Sequence, residues 1–324
     1  MKKPIKTVII AAVTLLVAAT TAFFANTTFQ IAPVDAADNA ETEAILAAGA
    51  FNYAQADVLV DTDWIQENGE AEGIHLIDVR SNVLDYEAGH IPGAVFANIR
   101  TELVNPESSV QGVIPTQQQL EAVLGNLGIA AEDTIVLYDS RSNLYAARAY
   151  WVLKYYQHED VRIYNGGTIK WKADGNRLVL GNEAAEPVEY LAADPDPAVY
   201  ADYQQVLDSL NDENVVTCDT RTNGEFAGED VRADRGGHIP GTTHLEWVHA
   251  VNEDGTFKAA PELAALFYAE GLTPDKEILT YCQTGVRSAH TWFVLTELLG
   301  YPNVRNYDGS WIEWANNEDL PITE

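Results

Sequence analysis

The stretch "IVLYDSRSNLYAARAYWVLKYYQHEDVRIYNGGTIKW", residues 135–171, lies without a gap over "ILTYCQTGVRSAHTWFVLTELLGYPNVRNYDGSWIEW", residues 278–314. Tyr138 meets Tyr281, Gly166 meets Gly309 and Trp171 meets Trp314. Upstream, "LIDVRSNVLDYEAGHIPGA" (76–94) matches "VTCDTRTNGEFAGEDVRADRGGHIPGT" (216–242), the second copy carrying a short insertion around "EDVRADR". Each copy therefore reads as a strand ending in Asp-x-Arg, a Gly-His-Ile-Pro-Gly turn, a helix, a second strand, a loop, a helix and a short last strand. Strands alternating with helices at this spacing predict an α/β fold, in which each copy builds a parallel sheet with helices on both faces. "GNEAAEPVEYLAADPDP", 181–197, is acidic and Pro-containing, as a linker is. It divides an N-terminal domain, 37–180, from a C-terminal domain, 198–324.

A chain of 324 residues with 47% hydrophobic content is long enough for two such domains, each with its own core. Before them come Lys2, Lys3 and Lys6, then the uncharged run "TVIIAAVTLLVAATTAFFA", then Val34-x-Ala36, a small-residue cleavage site before Ala37. These are the three parts of a secretory signal over 1–36, which predicts export to a periplasmic or extracellular space and no stable membrane association after cleavage. An uncleaved anchor is the alternative, because the apolar run almost spans a bilayer. The formal charge is -30, so nucleic acid and anionic membrane surfaces are poor partners. An anionic substrate must then find a basic pocket inside an acidic body.

The two cysteines, Cys218 and Cys282, both lie in the second copy, too few for a disulfide framework. The overlay sets Cys282 opposite Asp139. In the first copy the loop is "DSRSNL", with no thiol and with leucine where the second has Arg287. Cys282 is expected at the carboxyl end of a strand, with the backbone N–H groups from Gln283 through Arg287 turned towards its sulfur. The unpaired donors of the next helix, beginning near Ser288, add to this cradle. Such a setting favours a thiolate below the free pKa of about 8.5. A buried, inert thiol is the alternative for Cys282 and the simplest reading of Cys218.

With "CDTR", "GGHIPGT", "CQTGVRS" and "VRNYDGSWIEW" in place, the chain resembles the tandem-domain rhodaneses, the thiosulfate and 3-mercaptopyruvate sulfurtransferases, from about Asp57 to Pro321. The resemblance implies two rhodanese-like domains, an inactive first copy, and a catalytic Cys282 followed by the loop Gln283, Thr284, Gly285, Val286, Arg287 and Ser288. It implies a persulfide on the cysteine, loaded from a small anionic sulfur donor and discharged to cyanide or a thiol. Cys-x-x-Gly-x-Arg is closer to thiosulfate-using rhodaneses than to the mercaptopyruvate pattern. A basic residue that animal enzymes place after Asp-x-Arg is here Glu225. Arg287 is thus expected to meet the donor's oxygens, with Arg221, Arg232 and Arg235 as possible support for substrate or loop.

Cysteine phosphatases are a rival, but their Cys-x5-Arg ring is one residue longer, and Ser288 stands at their arginine position. A non-enzymatic, exported sulfur-binding or docking protein is another. It would load sulfur once without turnover. Asp78, Arg80, Asp219, His90 and His238 recur in both copies and read as scaffold. No spacing suits a metal or a nucleotide loop, so no cofactor or metal is expected.

Overall fold

The computed structural model describes residues 52–323. The signal, its cleavage site and the start of the first domain lie outside the described residues. Among the described residues no helix is long and apolar enough to cross a membrane.

The first half runs β1 (Leu59–Val60), α1 (Thr62–Asn68), β2 (Ile74–Asp78), α2 (Val83–Glu87), β3 (Val95–Phe96), α3 (Gln117–Asn126), β4 (Thr134–Tyr138), α4 (Leu144–Tyr155), β5 (Val161–Tyr164) and α5 (Gly167–Ala173). The second repeats it as β6 (Tyr200–Ala201), α6 (Tyr203–Ser209), β7 (Val215–Asp219), α7 (Asn223–Phe226), β8 (Thr243–His244), α8 (Ala260–Ala269), β9 (Glu277–Tyr281), α9 (Val286–Phe293), β10 (Val304–Tyr307) and α10 (Ser310–Asn316). The sheets have five strands each, in the orders β1-β5-β4-β2-β3 and β6-β10-β9-β7-β8, and every pairing is parallel. Parallel neighbours need crossover connections, which is why a helix follows nearly every strand. Helix starts are set locally: Thr116 with Gln119 and Asp202 with Gln205 close capping boxes at α3 and α6.

The recurring motifs are scaffold in both halves. Asp78 holds Arg80 at 2.5 Å, and Arg80 donates to the Gly89 carbonyl. Asp219 holds Arg221 at 2.6 Å, and Arg221 donates to the Gly237 carbonyl. The His90 ring stacks on Tyr86 and that of His238 on Phe226. A bidentate ion pair at the strand's carboxyl end thus clamps the turn that precedes the next strand.

The two halves share the largest part of their apolar core, which their lengths do not suggest. Residues 144–153 of α4 are all buried, and a helix apolar on every side needs cover on every side. Part of that cover is α9: Tyr150 meets Phe293 edge-on at 4.8 Å and Trp292 at 6.4 Å. One apolar cluster contains Leu137, Ala147 and Trp151 from the first half with Cys218, Ile278 and Trp292 from the second. Smaller clusters sit in each half, around Val60, Leu76 and Trp171 and around Ala201, Leu279 and Trp314. The shared core brings the β4–α4 and β9–α9 loops to the same cleft.

Candidate active site

Cys282 follows the last residue of β9 and is 1% exposed. The chain turns at once: Gly285 caps α9 with φ +74°, a left-handed conformation suited to glycine. A Cβ there would also come within 2.9 Å of the Arg148 guanidinium and of the Asp308 carbonyl. The ring of backbone is pinned from below by Ser310, whose Oγ accepts the N–H groups of Cys282 (3.2 Å) and Gly285 (2.9 Å) and donates to the Tyr307 carbonyl. Ser310 was not singled out from sequence. The signal was there in "YDGS" against "YNGG", since Gly167 occupies its place in the first half, where a Cβ would collide with the Asp139 carbonyl oxygen.

The matching loop of the first half shows what this backbone binds. The Asp139 carboxylate accepts four N–H groups, from Arg141 (2.7 Å), Asn143 (3.2 Å), Tyr145 (2.7 Å) and Ala146 (3.0 Å). The first half therefore fills its own anion cradle. In the second half the corresponding Thr284 and Ser288 N–H groups face the Cys282 sulfur. Burial pushes the thiol's pKa up, but the charge of Arg287 and these hydrogen bonds outweigh it and hold it below its ordinary value. Cys218, fully buried on β7 beside the charge of Asp219, is pushed far up, mainly by burial.

Arg287 differs from expectation in one respect. Its two terminal nitrogens donate to the two oxygens of Glu225, at 2.6 and 2.8 Å, and Glu225 is fully buried. Burial raises the Glu225 carboxyl, yet Arg287 and the Thr222 cap bring it down to about 2. The Glu225 carboxylate thus orients Arg287 and balances its charge. The charge of an anionic substrate must then be met by other groups. Arg221 is turned inward, over Trp311, and away from that task. Arg235 is also committed elsewhere, its donors spent on the carbonyls of Trp314, Ala315, Asn317 and Leu320. Arg232 does line the cleft, 3.5 Å from Glu225, and its carbonyl accepts from the Gln283 side chain.

Two further residues escaped the sequence reading. Arg148 of α4 is buried and crosses to the second half, where it pairs with Asp308 at 2.7 Å and donates to the Gly285 carbonyl at 3.2 Å. Asn306 donates to the same carbonyl at 3.3 Å. Together they fix the Gly285 carbonyl, and with it the turn between the Thr284 and Ser288 N–H groups. The cleft above has a volume of about 900 Å³ and takes Arg100, Arg141 and Tyr145 from the first half and Gln283, Thr284 and Arg287 from the second.

His290, on α9 just beyond the loop, is fully buried with Trp247 and Phe257 rings each 5.0 Å away, and burial brings its pKa down to about 3. In the unfolded chain it titrates near 6.5. The unfolded state therefore binds the extra proton between these values, and stability rises with pH across that window. Lowering the pH from 6.5 to 5 is expected to cost about 2 kcal/mol through this group. Urea titrations of the parent and His290→Phe at both pH values check this, the variant losing less by that amount; equal losses refute the assignment.

The rhodanese-like domain profile matches the chain twice, over residues 61–174 and 202–317. The "Putative thiosulfate sulfurtransferase" of Mycolicibacterium smegmatis is 40% identical over 277 residues, 83% of this chain and 98% of that protein. The sulfur carrier protein TtuD of Thermus thermophilus is 39% identical over 285 residues, 85% of this chain and 99% of its own. Among solved structures, SseA from Escherichia coli, described with the fold and mechanism of 3-mercaptopyruvate sulfotransferases, superposes with a TM-score of 0.71 at 31% identity, covering 78% of this chain and 98% of that one.

Proposed function

This chain belongs to the rhodanese family, with two tandem rhodanese-like domains, and from that premise we propose that it is a sulfurtransferase that takes a sulfane sulfur from thiosulfate onto Cys282. The observation that carries the reading is the Cys282 thiol itself, buried yet with its pKa held down by Arg287 and the loop N–H groups. The thiolate attacks the outer sulfur of thiosulfate. The donor's S–S bond breaks, its electron pair leaves on sulfite, and a new S–S bond makes the Cys282 persulfide. The ring then holds the persulfide's negative charge much as the first half holds the Asp139 carboxylate. Cyanide or a thiolate next attacks the terminal sulfur, and the pair returns to Cys282. Thiosulfate is supported by the name of the 40%-identical relative and by the loop sequence. Mercaptopyruvate is the second reading, supported by the likeness to SseA. The lysine-led apolar N-terminus supports action outside the cytoplasm, with a small-molecule or protein thiol as acceptor.

Intact mass after incubation with each donor separates the readings. Thiosulfate is expected to add one sulfur atom, cyanide to remove it, and mercaptopyruvate to load more slowly. Loading by mercaptopyruvate alone reverses the donor. Loading without turnover to any acceptor leaves a sulfur-binding protein rather than an enzyme, and no loading from either donor rejects the proposal.

A further inference from the structure

Two guanidinium groups on the first-half wall of the cleft converge on one hydroxyl. Arg100 donates to Tyr145 Oη at 3.2 Å and Arg141 at 3.0 Å, and both cations lie over the same ring, 6.0 and 5.5 Å from its centroid. Among the described residues neither arginine forms an ion pair with a carboxylate, although the chain holds 49 acidic residues against 19 basic ones. Like charges brought together at one neutral oxygen repel, and a bound anion relieves that repulsion. The other cleft arginines are spoken for: Arg148 by Asp308, Arg287 by Glu225 and Arg232 by Asp230. Each arginine of the converging pair uses one donor on the phenol and keeps the others, in the planar fork that matches a carboxylate.

The size of the cleft says which substrate this serves. About 900 Å³ is near the upper end of pockets for organic ligands, far beyond the needs of a donor with two sulfurs and three oxygens. The sulfurtransferase reading brings the donor's outer sulfur to Cys282 in the second half, whereas this pair belongs to the opposite wall. A longer molecule is needed to bring a sulfur to Cys282 while an anionic end rests against the first half.

We propose that Arg100 and Arg141, converging on the Tyr145 hydroxyl, form a subsite for the carboxylate groups of a small organic thiol that accepts the sulfur from Cys282. This rests on the sulfurtransferase reading. The acceptor's thiolate attacks the terminal sulfur of the Cys282 persulfide, the S–S bond to Cys282 breaks with its electron pair returning to the cysteine thiolate, and the acceptor leaves as its own persulfide. No outside oxidant or reductant is needed. The inactive half thereby supplies recognition on the outer face of the loop whose inner cradle Asp139 has closed.

The test compares mercaptosuccinate with uncharged 2-mercaptoethanol as acceptors for the persulfide-loaded full chain. Arg100→Ala and Arg141→Ala are each expected to raise KM for mercaptosuccinate at least tenfold with little change in kcat. KM for 2-mercaptoethanol should move less than twofold, and Arg141→Lys should recover part of the loss. Equal losses for both thiols, no loss for either, or slowing confined to loading from thiosulfate overturn the proposal. Calorimetric titration of the Cys282→Ser chain with succinate reads the subsite without sulfur chemistry: binding weakened at least tenfold by adding Arg141→Ala supports it, and no binding to the Cys282→Ser chain refutes it. Succinate binding in a protein that never loads sulfur would reject the enzymatic reading while leaving the anion subsite standing.

Discussion

Cys282→Ser is expected to reduce sulfur transfer by at least about a thousandfold and to leave the protein folded. Serine puts an oxygen where the sulfur stands, and the Thr284 and Ser288 N–H groups can still donate to it. What is lost is the group that ionises near neutral pH and forms a reversible S–S bond. An alcohol is scarcely ionised there, even beside Arg287, and its oxygen forms no persulfide. Because Cys282 is buried at a spot already lined with donors, the stability change should stay within about 1 kcal/mol, as for a satisfied buried hydroxyl. The check is a steady-state assay with thiosulfate and cyanide, alongside intact mass and thermal unfolding. A folded variant that keeps more than about a hundredth of the parent rate would remove Cys282 from the chemistry.

Arg148→Met should have the largest effect on stability, about 3–5 kcal/mol. Arg148 is 1% exposed, and its guanidinium holds Asp308, the Gly112 carbonyl and the Gly285 carbonyl while lying 4.7 Å over Trp151. Methionine fills much of the stem's volume but leaves a fully buried Asp308 carboxylate with the Ile114 N–H as its remaining hydrogen bond. An uncompensated buried charge accounts for most of the cost. Adding Asp308→Asn removes that charge, so the double variant is expected to be more stable than Arg148→Met alone, with a coupling of at least about 1 kcal/mol. Urea unfolding of the four proteins in the cycle measures it. A loss under 1 kcal/mol for Arg148→Met, or simple additivity, would show that the pair is not a joint between the halves. The same variant releases the Gly285 carbonyl, so any folded fraction should also lose kcat.

These two residues mark the boundary of what could be read from the chain. Cys282 stood out because the copies align without a gap and differ there in chemistry, and that comparison needs no coordinates. The alternation of strand and helix, the parallel sheets and the place of the loop at a strand's carboxyl end likewise follow from periodicities and turn residues within short windows. Leu144 to Leu153 reads as an apolar helix on any inspection, and Arg148 in its midst looks like an interruption. Its partners, Gly285 and Asp308, lie in the other copy.

Glu225 was visible as a departure from the family pattern, and the departure alone suggested a lost cation. Its bidentate hold on Arg287 turns the same residue into the group that aims that arginine. Ser310 against Gly167 was a single-letter difference whose meaning depends on how closely the last helix approaches the loop. By itself the sequence determined the repeated fold and the element order and singled out Cys282 as the candidate nucleophile, because local hydrophobic period, backbone sterics and side-chain chemistry act over a few residues at a time. Only the tertiary structure decided the shared core, the Arg148–Asp308 joint, the balancing of Arg287 and the pairing of Arg100 with Arg141, because burial and Coulomb interactions depend on distances in space that a linear chain does not encode locally.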